Sequence, residues 1–147
     1  MHHRKHHFIF AINGSWGLLQ SLIGFIFFLA LIDKPHFKYK GCIVTTDVAS
    51  RFGTFGGGIS LGLFVFIYKP INPDDAQHDG LLRHEYGHCL QSALLGPLYL
   101  LFIGLPSFLG LRIYNKRQKP TPKNYYTRIE SWADALGGVH KPPPQSL

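Results

Sequence analysis

Glutamate is almost absent from this chain of 147 residues: only Glu85 and Glu130 occur, and the eight acids in all face 15 lysines and arginines, a formal charge of +7. Charged residues make up 16% of the sequence, against about 25% in a typical soluble domain, so apolar residues are not diluted as in a solvated globule. Too few charges are present to decorate a long coiled coil, no Gly-X-Y period points to collagen, and an aromatic content of 14% excludes a disordered chain. Two cysteines, Cys42 and Cys89, cannot make a disulfide scaffold. Both read as small buried hydrophobes, and a bridge between them stays open for an oxidising compartment. The length suits one domain.

Charge is missing in runs. Phe8 to Ile32 extends for 25 residues without a charged side chain, which at about 1.5 Å per residue exceeds the roughly 30 Å hydrocarbon core of a bilayer. The sequence therefore predicts an uncleaved N-terminal transmembrane helix, and with it an integral membrane protein. Within that run Asn13, Gly17, Gln20, Ser21 and Gly24 recur at helical spacing, a face suited to close packing on another helix or on the body of the protein. Cations flank both ends, so orientation is not set. The expected division is a basic, His-rich flank and anchor over 1–34, a core over 35–140 and a tail over 141–147.

Inside the core, Cys42 to Val48 is short and β-branched and reads as a strand. After a Gly-rich stretch, Ile59 to Tyr68 alternates as a second strand would, with Leu63, Val65 and Ile67 on one face and Phe64, Phe66 and Tyr68 on the other. A β-hairpin or two neighbouring strands is expected. Asn72 and Pro73 then signal a helix start, with Asp74 and Asp75 at its positive end, and Gly96 and Pro97 a stop after about Leu95. Pro97 to Leu111 is apolar and bent by Pro106. A basic loop with Lys116, Arg117, Lys119 and Lys123 precedes a last helix from about Thr127 to Gly137. With an apolar anchor in the same chain and no phosphate-loop or zinc-finger spacing, these cations suit lipid headgroups rather than nucleic acid.

The middle helix carries His84-Glu85-Tyr86-Gly87-His88, the pattern HExxH. Histidines four apart share a helix face, so both imidazoles can reach one metal ion, while the intervening glutamate is offset toward a water on that metal. Zinc would lower the pKa of that water toward about 7, and Glu85 would accept its proton as general base. A catalytic zinc takes a third protein ligand. Glu130 and Asp134 are the acids that follow Glu85 and, four apart, lie on one helix face: Glu130 can complete the ligand set and Asp134 can accept a hydrogen bond from a ligand histidine. His78 and His140 are competing ligands without ligand spacing. Tyr125 and Tyr126 stand just before the Glu130 helix, and Tyr126 is the candidate donor to a developing oxyanion, against a packing or interface role.

HEYGH followed by ESWAD resembles the gluzincin metallopeptidases, above all the membrane-integrated class of the CAAX prenyl endopeptidases, with HExxH and a later ExxAD. The resemblance implies a zincin-like α+β fold, Zn2+ held by His84, His88 and Glu130, Glu85 as base, Asp134 in support and a peptide or membrane-protein substrate. It also implies an edge strand, a role for Ile59 to Tyr68, that pairs with extended substrate. The HEYGH and WAD-LGG elements further resemble a group of small bacterial membrane proteins, which implies placement in the bacterial inner membrane. The larger enzymes place two transmembrane helices between the motifs, whereas this chain has one apolar segment of about 17 residues there. A single crossing would separate Glu130 from the histidines, so Pro97 to Leu111 is expected not to cross. The function expected is peptide hydrolysis by a membrane-associated zinc enzyme, with the lipid bilayer as a further partner. The alternative is a non-catalytic membrane protein whose zinc ties the last helix to the middle one.

Overall fold

A computed structural model describes residues 11–49, 57–105 and 125–139. A four-stranded mixed sheet is made by β1 (His36–Tyr39), β2 (Cys42–Thr45), β3 (Gly58–Leu61) and β4 (Phe64–Ile67), in the order β1-β2-β4-β3. Helices α1 (Leu18–Ala30), α2 (Ala76–Leu95) and α3 (Tyr125–Gly137) and a π-helical turn at Leu100–Gly104 accompany it, and residues 11–15 are helical as well. β2 and β4 run parallel, while β1 and β3 each pair antiparallel with their neighbour.

The run expected as one strand over Ile59 to Tyr68 is a hairpin. Gly62, at φ +64, makes the turn between β3 and β4. Strand β1 escaped the sequence reading because its four residues, HFKY, carry a charge at the third position. What fixes it is the turn: Lys40 and Gly41 both take positive φ, at 47 and 90, and Tyr39 pairs with Cys42 across them. That is the geometry a two-residue hairpin prefers.

The sheet is covered on both sides. Cys42, Val44, Val65 and Ile67 pack with Leu82, Tyr86 and Cys89 of α2. On the other side Phe64 and Phe66 pack with Ile23 and Phe28 of α1, with the Phe28 and Phe64 rings 5.6 Å apart. The expected alternation holds along β4; Leu63, in the turn, lies with the phenylalanines instead. Cys42 and Cys89 are buried free thiols.

The expected transmembrane anchor is not formed. Residues 11–15 are helical, the helix breaks at 16–17, and α1 resumes for only 13 residues. That is about 20 Å of helix at ~1.5 Å per residue, short of a hydrocarbon core of roughly 30 Å. Among the described residues no helix is long and apolar enough to cross a membrane. The integral placement in the bacterial inner membrane rested on that span and falls with it. Polar residues decide the outcome, because they are tied to the rest of the protein. Asn13 Nδ2 donates to the Cys89 carbonyl (3.2 Å), and Gln20 Nε2 donates to Ser92 Oγ (2.9 Å) and to the Gly96 carbonyl (2.8 Å). Ser92 Oγ donates to Asn13 Oδ1 (2.9 Å), and Ser21 Oγ accepts from the Leu63 amide (3.3 Å). Gly17 sits where a β-carbon would press on the Asn13 and Gln20 side chains, so the break and the network are one feature. The helix thus buries its polar face and turns Leu18, Leu22, Phe25, Ile26 and Leu29 outward.

Helix α2 starts at Ala76, later than the cap signal implied. Asn72 instead closes a turn, with Oδ1 accepting from the Asp74 amide at 3.1 Å and its carbonyl from the Asp75 amide at 3.2 Å. Its end at Leu95 matches the Gly96 stop. α3 packs antiparallel on α2: Arg83 Nη1 donates to the Gly138 carbonyl (3.3 Å) at one end, and Gln91 Nε2 to the Ile129 carbonyl (3.0 Å) at the other. Pro106 and the rest of the expected kinked segment, the basic loop and the tail lie outside the described residues.

Candidate metal centre

Helical spacing places His84 and His88 on one side of α2, with ring centroids 4.9 Å apart and planes at 90°. Glu130 reaches both from α3. Its Oε2 lies 3.0 Å from His84 Nε2 and 3.5 Å from His88 Nε2. The three side chains form a group that could hold a metal ion, with one ligand atom from each within 4.8 Å of the others. Tetrahedral ligands at zinc distances of about 2.0–2.2 Å stand about 3.3 Å from one another, and the two separations from Glu130 Oε2 lie on either side of that value.

The donor set is also prepared chemically. His84 Nδ1 donates to Asp134 Oδ1 at 2.7 Å, and His88 Nδ1 donates to Gln91 Oε1 at 2.8 Å. Holding each Nδ1 proton on an acceptor leaves Nε2 as the nitrogen that faces Glu130, and fixes each ring's orientation. Gln91 is itself anchored to the Ile129 carbonyl of α3. Both rings are thereby tied to α3, His84 through Asp134 and His88 through Gln91.

In the metal-free chain these histidines hold protons tightly. Burial works against the charge on His84, but hydrogen bonds to Glu130 and Asp134 and the charges of Glu85 and Glu130 outweigh it, raising its pKa from 6.5 to about 9. For His88, burial again opposes the charge and Glu130 with Glu85 overcomes it, so its pKa is raised too, with His84 acting in the opposite sense. Negative charge is concentrated here, and a divalent cation would take the place of those protons.

Glu85 stands beside the ligand group without belonging to it. It is 3% exposed, and Ser60 Oγ donates to its Oε2 at 2.8 Å. Glu85, His84, His88 and Glu130 all line one cavity of about 710 Å³. Its other walls are mainly apolar, among them Ile59, Leu61, Leu81, Leu100 and Leu101. β3, an edge strand of the sheet, borders it through Gly58 and Ser60.

Of the residues singled out in the sequence, His84, Glu85, His88, Glu130 and Asp134 are brought together. His78 is not with them: at the start of α2 its Nδ1 lies 3.6 Å from Asp75. His140 and the side chains of Tyr125 and Tyr126 lie outside the described residues. The sequence reading missed Gln91, Ser60 and Tyr99. Gln91 had a signal, since position i+3 from a ligand histidine shares its helix face. Ser60 and Tyr99 had none, because only the fold carries β3 to α2. Comparison with protein-family models, curated proteins and solved structures finds no match to this chain.

Proposed function

We propose that the protein is a zinc-dependent peptide hydrolase whose ligands are His84, His88 and Glu130 and whose general base is Glu85. One observation carries this reading: a buried carboxylate that is not among the metal-binding group shares a cavity with it. A site that served only to tie α3 to α2 would not call for a buried acid beside the ligands. Three protein ligands leave a fourth position open, the usual difference between a catalytic and a structural zinc.

His84, His88 and Glu130 would hold the zinc, which would supply Lewis acidity and lower the pKa of a water molecule toward neutrality. Glu85 then receives a proton on its carboxylate and passes it to the leaving amine, acting in turn as base and acid. Asp134 and Gln91 keep the imidazole Nδ1 protons in place while this happens. The apolar walls provide for a bulky uncharged side chain of the substrate, and β3 offers an extended chain an edge to pair with. Substrates are therefore peptides or unfolded segments rich in large apolar residues.

The test uses purified full-length chain. Metal analysis should return one zinc per chain, reduced in Glu130→Ala, and the zinc-loaded protein should cleave a quenched-fluorescence peptide library with apolar residues flanking the cleaved bond. Glu85→Gln should keep the zinc and lose the cleavage. Iron in place of zinc, a donor set that suits either metal, or cleavage undiminished in Glu85→Gln would overturn the proposal.

A further inference from the structure

The Glu85 carboxylate is packed into a cradle made by two residues of β3. Ser60 Oγ lies 2.8 Å from Oε2 and 3.0 Å from the Glu85 carbonyl oxygen, so one hydroxyl proton serves the side chain and main chain of the same residue. Two positions earlier on the strand, hence on the same face, Gly58 leaves room for the other oxygen: a β-carbon there would stand 2.7 Å from Oε1. Among the described residues, Ser60 is the one hydrogen-bond donor to this carboxylate. Ser60 is itself held from behind, since its carbonyl accepts from the Tyr99 hydroxyl at 3.1 Å.

That last bond also orients the strand. Gly57 directs its carbonyl to the Tyr68 amide next to β4, at 3.3 Å, whereas the Ser60 carbonyl is taken by Tyr99 on the opposite side. Alternation along a strand then turns the main-chain groups of Gly58 and Ser60 away from β4, to the side where Tyr99 meets the Ser60 carbonyl, and those of Ile59 and Leu61 to β4. Gly58 and the Ser60 amide therefore face the edge on that side from the residues that grip Glu85, while the Ser60 carbonyl is held there by Tyr99.

We propose that Ser60 is a positioning residue for the general base, and that through it the edge strand and Glu85 act as one rigid unit. A chain laid along β3 is thereby set in register with the base without touching it. This deepens the hydrolase reading and rests on it for the word base; the cradle itself is a separate claim.

The sequence offers a direct probe, because the chain has two glutamates. Protein labelled with 13C at the glutamate side-chain carboxyl gives two signals, and Glu85→Gln assigns them. In Ser60→Ala the Glu85 signal should move while the Glu130 signal and the bound zinc stay as they were, and Ser60→Thr should restore the Glu85 signal. Should Ser60→Ala fail to fold, Gly58→Ala, whose β-carbon enters the space of Oε1, should move the same signal. On the apolar peptides, Ser60→Ala should lower kcat about tenfold with KM unchanged, a part of the roughly 10²–10⁴ that general-base catalysis contributes. A Glu85 signal that does not move in either variant overturns the inference. Signals that move in a protein without any turnover leave the cradle standing and remove the hydrolase reading.

Discussion

Gly87 of α2 lies against the Ala133 carbonyl of α3 so closely that a β-carbon at position 87 would overlap the oxygen. One helical turn away the same contact recurs with the partners exchanged, Gly137 lying on the Arg83 carbonyl. In the sequence Gly87 lies between His84 and His88, and Ala133 between Glu130 and Asp134. The small residues inside the two motifs set the distance between the helices, and that distance lets one glutamate oxygen meet both imidazoles.

Gly87→Ala should therefore damage metal binding without touching a ligand. The obstacle is backbone, which cannot swing aside as a side chain does, so α2 and α3 must separate. Overpacking of this kind costs about 1–3 kcal/mol, and zinc affinity should fall with it. Gly80 provides the control: it lies on the same helix with nothing within 4 Å of its β-carbon position. Gly80→Ala should raise stability by up to about 1 kcal/mol through helix propensity. Thermal denaturation of the two variants, with and without zinc, separates the cases.

The site was legible in the sequence to the extent that it is local. HExxH and ExxAD each use helical spacing, so the grouping of His84, His88 and Glu130, with Glu85 and Asp134 beside them, follows from position alone. The N-terminal run misled because hydropathy counts residues without knowing where they point. Asn13, Gln20 and Ser21 looked like a stripe on a spanning helix, whereas their partners are Cys89, Ser92, Gly96 and Leu63, 42 to 79 residues away. Ser60 was hidden for the same reason, being placed beside Glu85 by a sheet whose central contact is a parallel pairing of β2 and β4.

Gln91 is expected to matter to the metal although it cannot ligate it. Replacing it with leucine removes the acceptor for His88 Nδ1 and the donor to the Ile129 carbonyl. Groups that orient a ligand histidine are worth about 10–100-fold in metal affinity. Zinc competition titrations of Gln91→Leu and of Asp134→Asn should each show a loss in that range. A loss as complete as that of Glu130→Ala would mean instead that the helix pair had come apart.

Acidity should act on the metal-free protein in a definite direction. The folded-state pKa of His84 is raised from 6.5 to about 9, so its charge stabilises the fold fully below pH 6.5 and this contribution is lost as pH rises through about 9. The metal-free chain should lose melting temperature across that window, and His84→Gln should flatten the dependence. Zinc needs the neutral imidazole, so binding at pH 7 should release the His84 proton. Calorimetry in buffers of different ionisation enthalpy counts it, and zinc-loaded protein should be less sensitive to pH between 6.5 and 9.

Helix α1 makes an opposed pair of predictions because it is amphipathic in the inverted sense. Leu22 and Ile26 are 53% and 61% exposed, while Gln20 is fully buried and bonded to Ser92 and Gly96. Leu22→Gln with Ile26→Gln should change folding stability by no more than about 0.5 kcal/mol, as surface substitutions do. Gln20→Leu, apolar and close in size, strips the donor from the buried Gly96 carbonyl and should cost about 1–3 kcal/mol. The outer face should reveal itself in association instead. An uncharged patch of this extent draws copies together in water, so sedimentation velocity should show self-association of the parent chain that the double glutamine variant reduces. If the glutamines unfolded the chain and the leucine did not, the described direction of α1 would be wrong, and the network from Asn13 to Ser92 could not be what holds it.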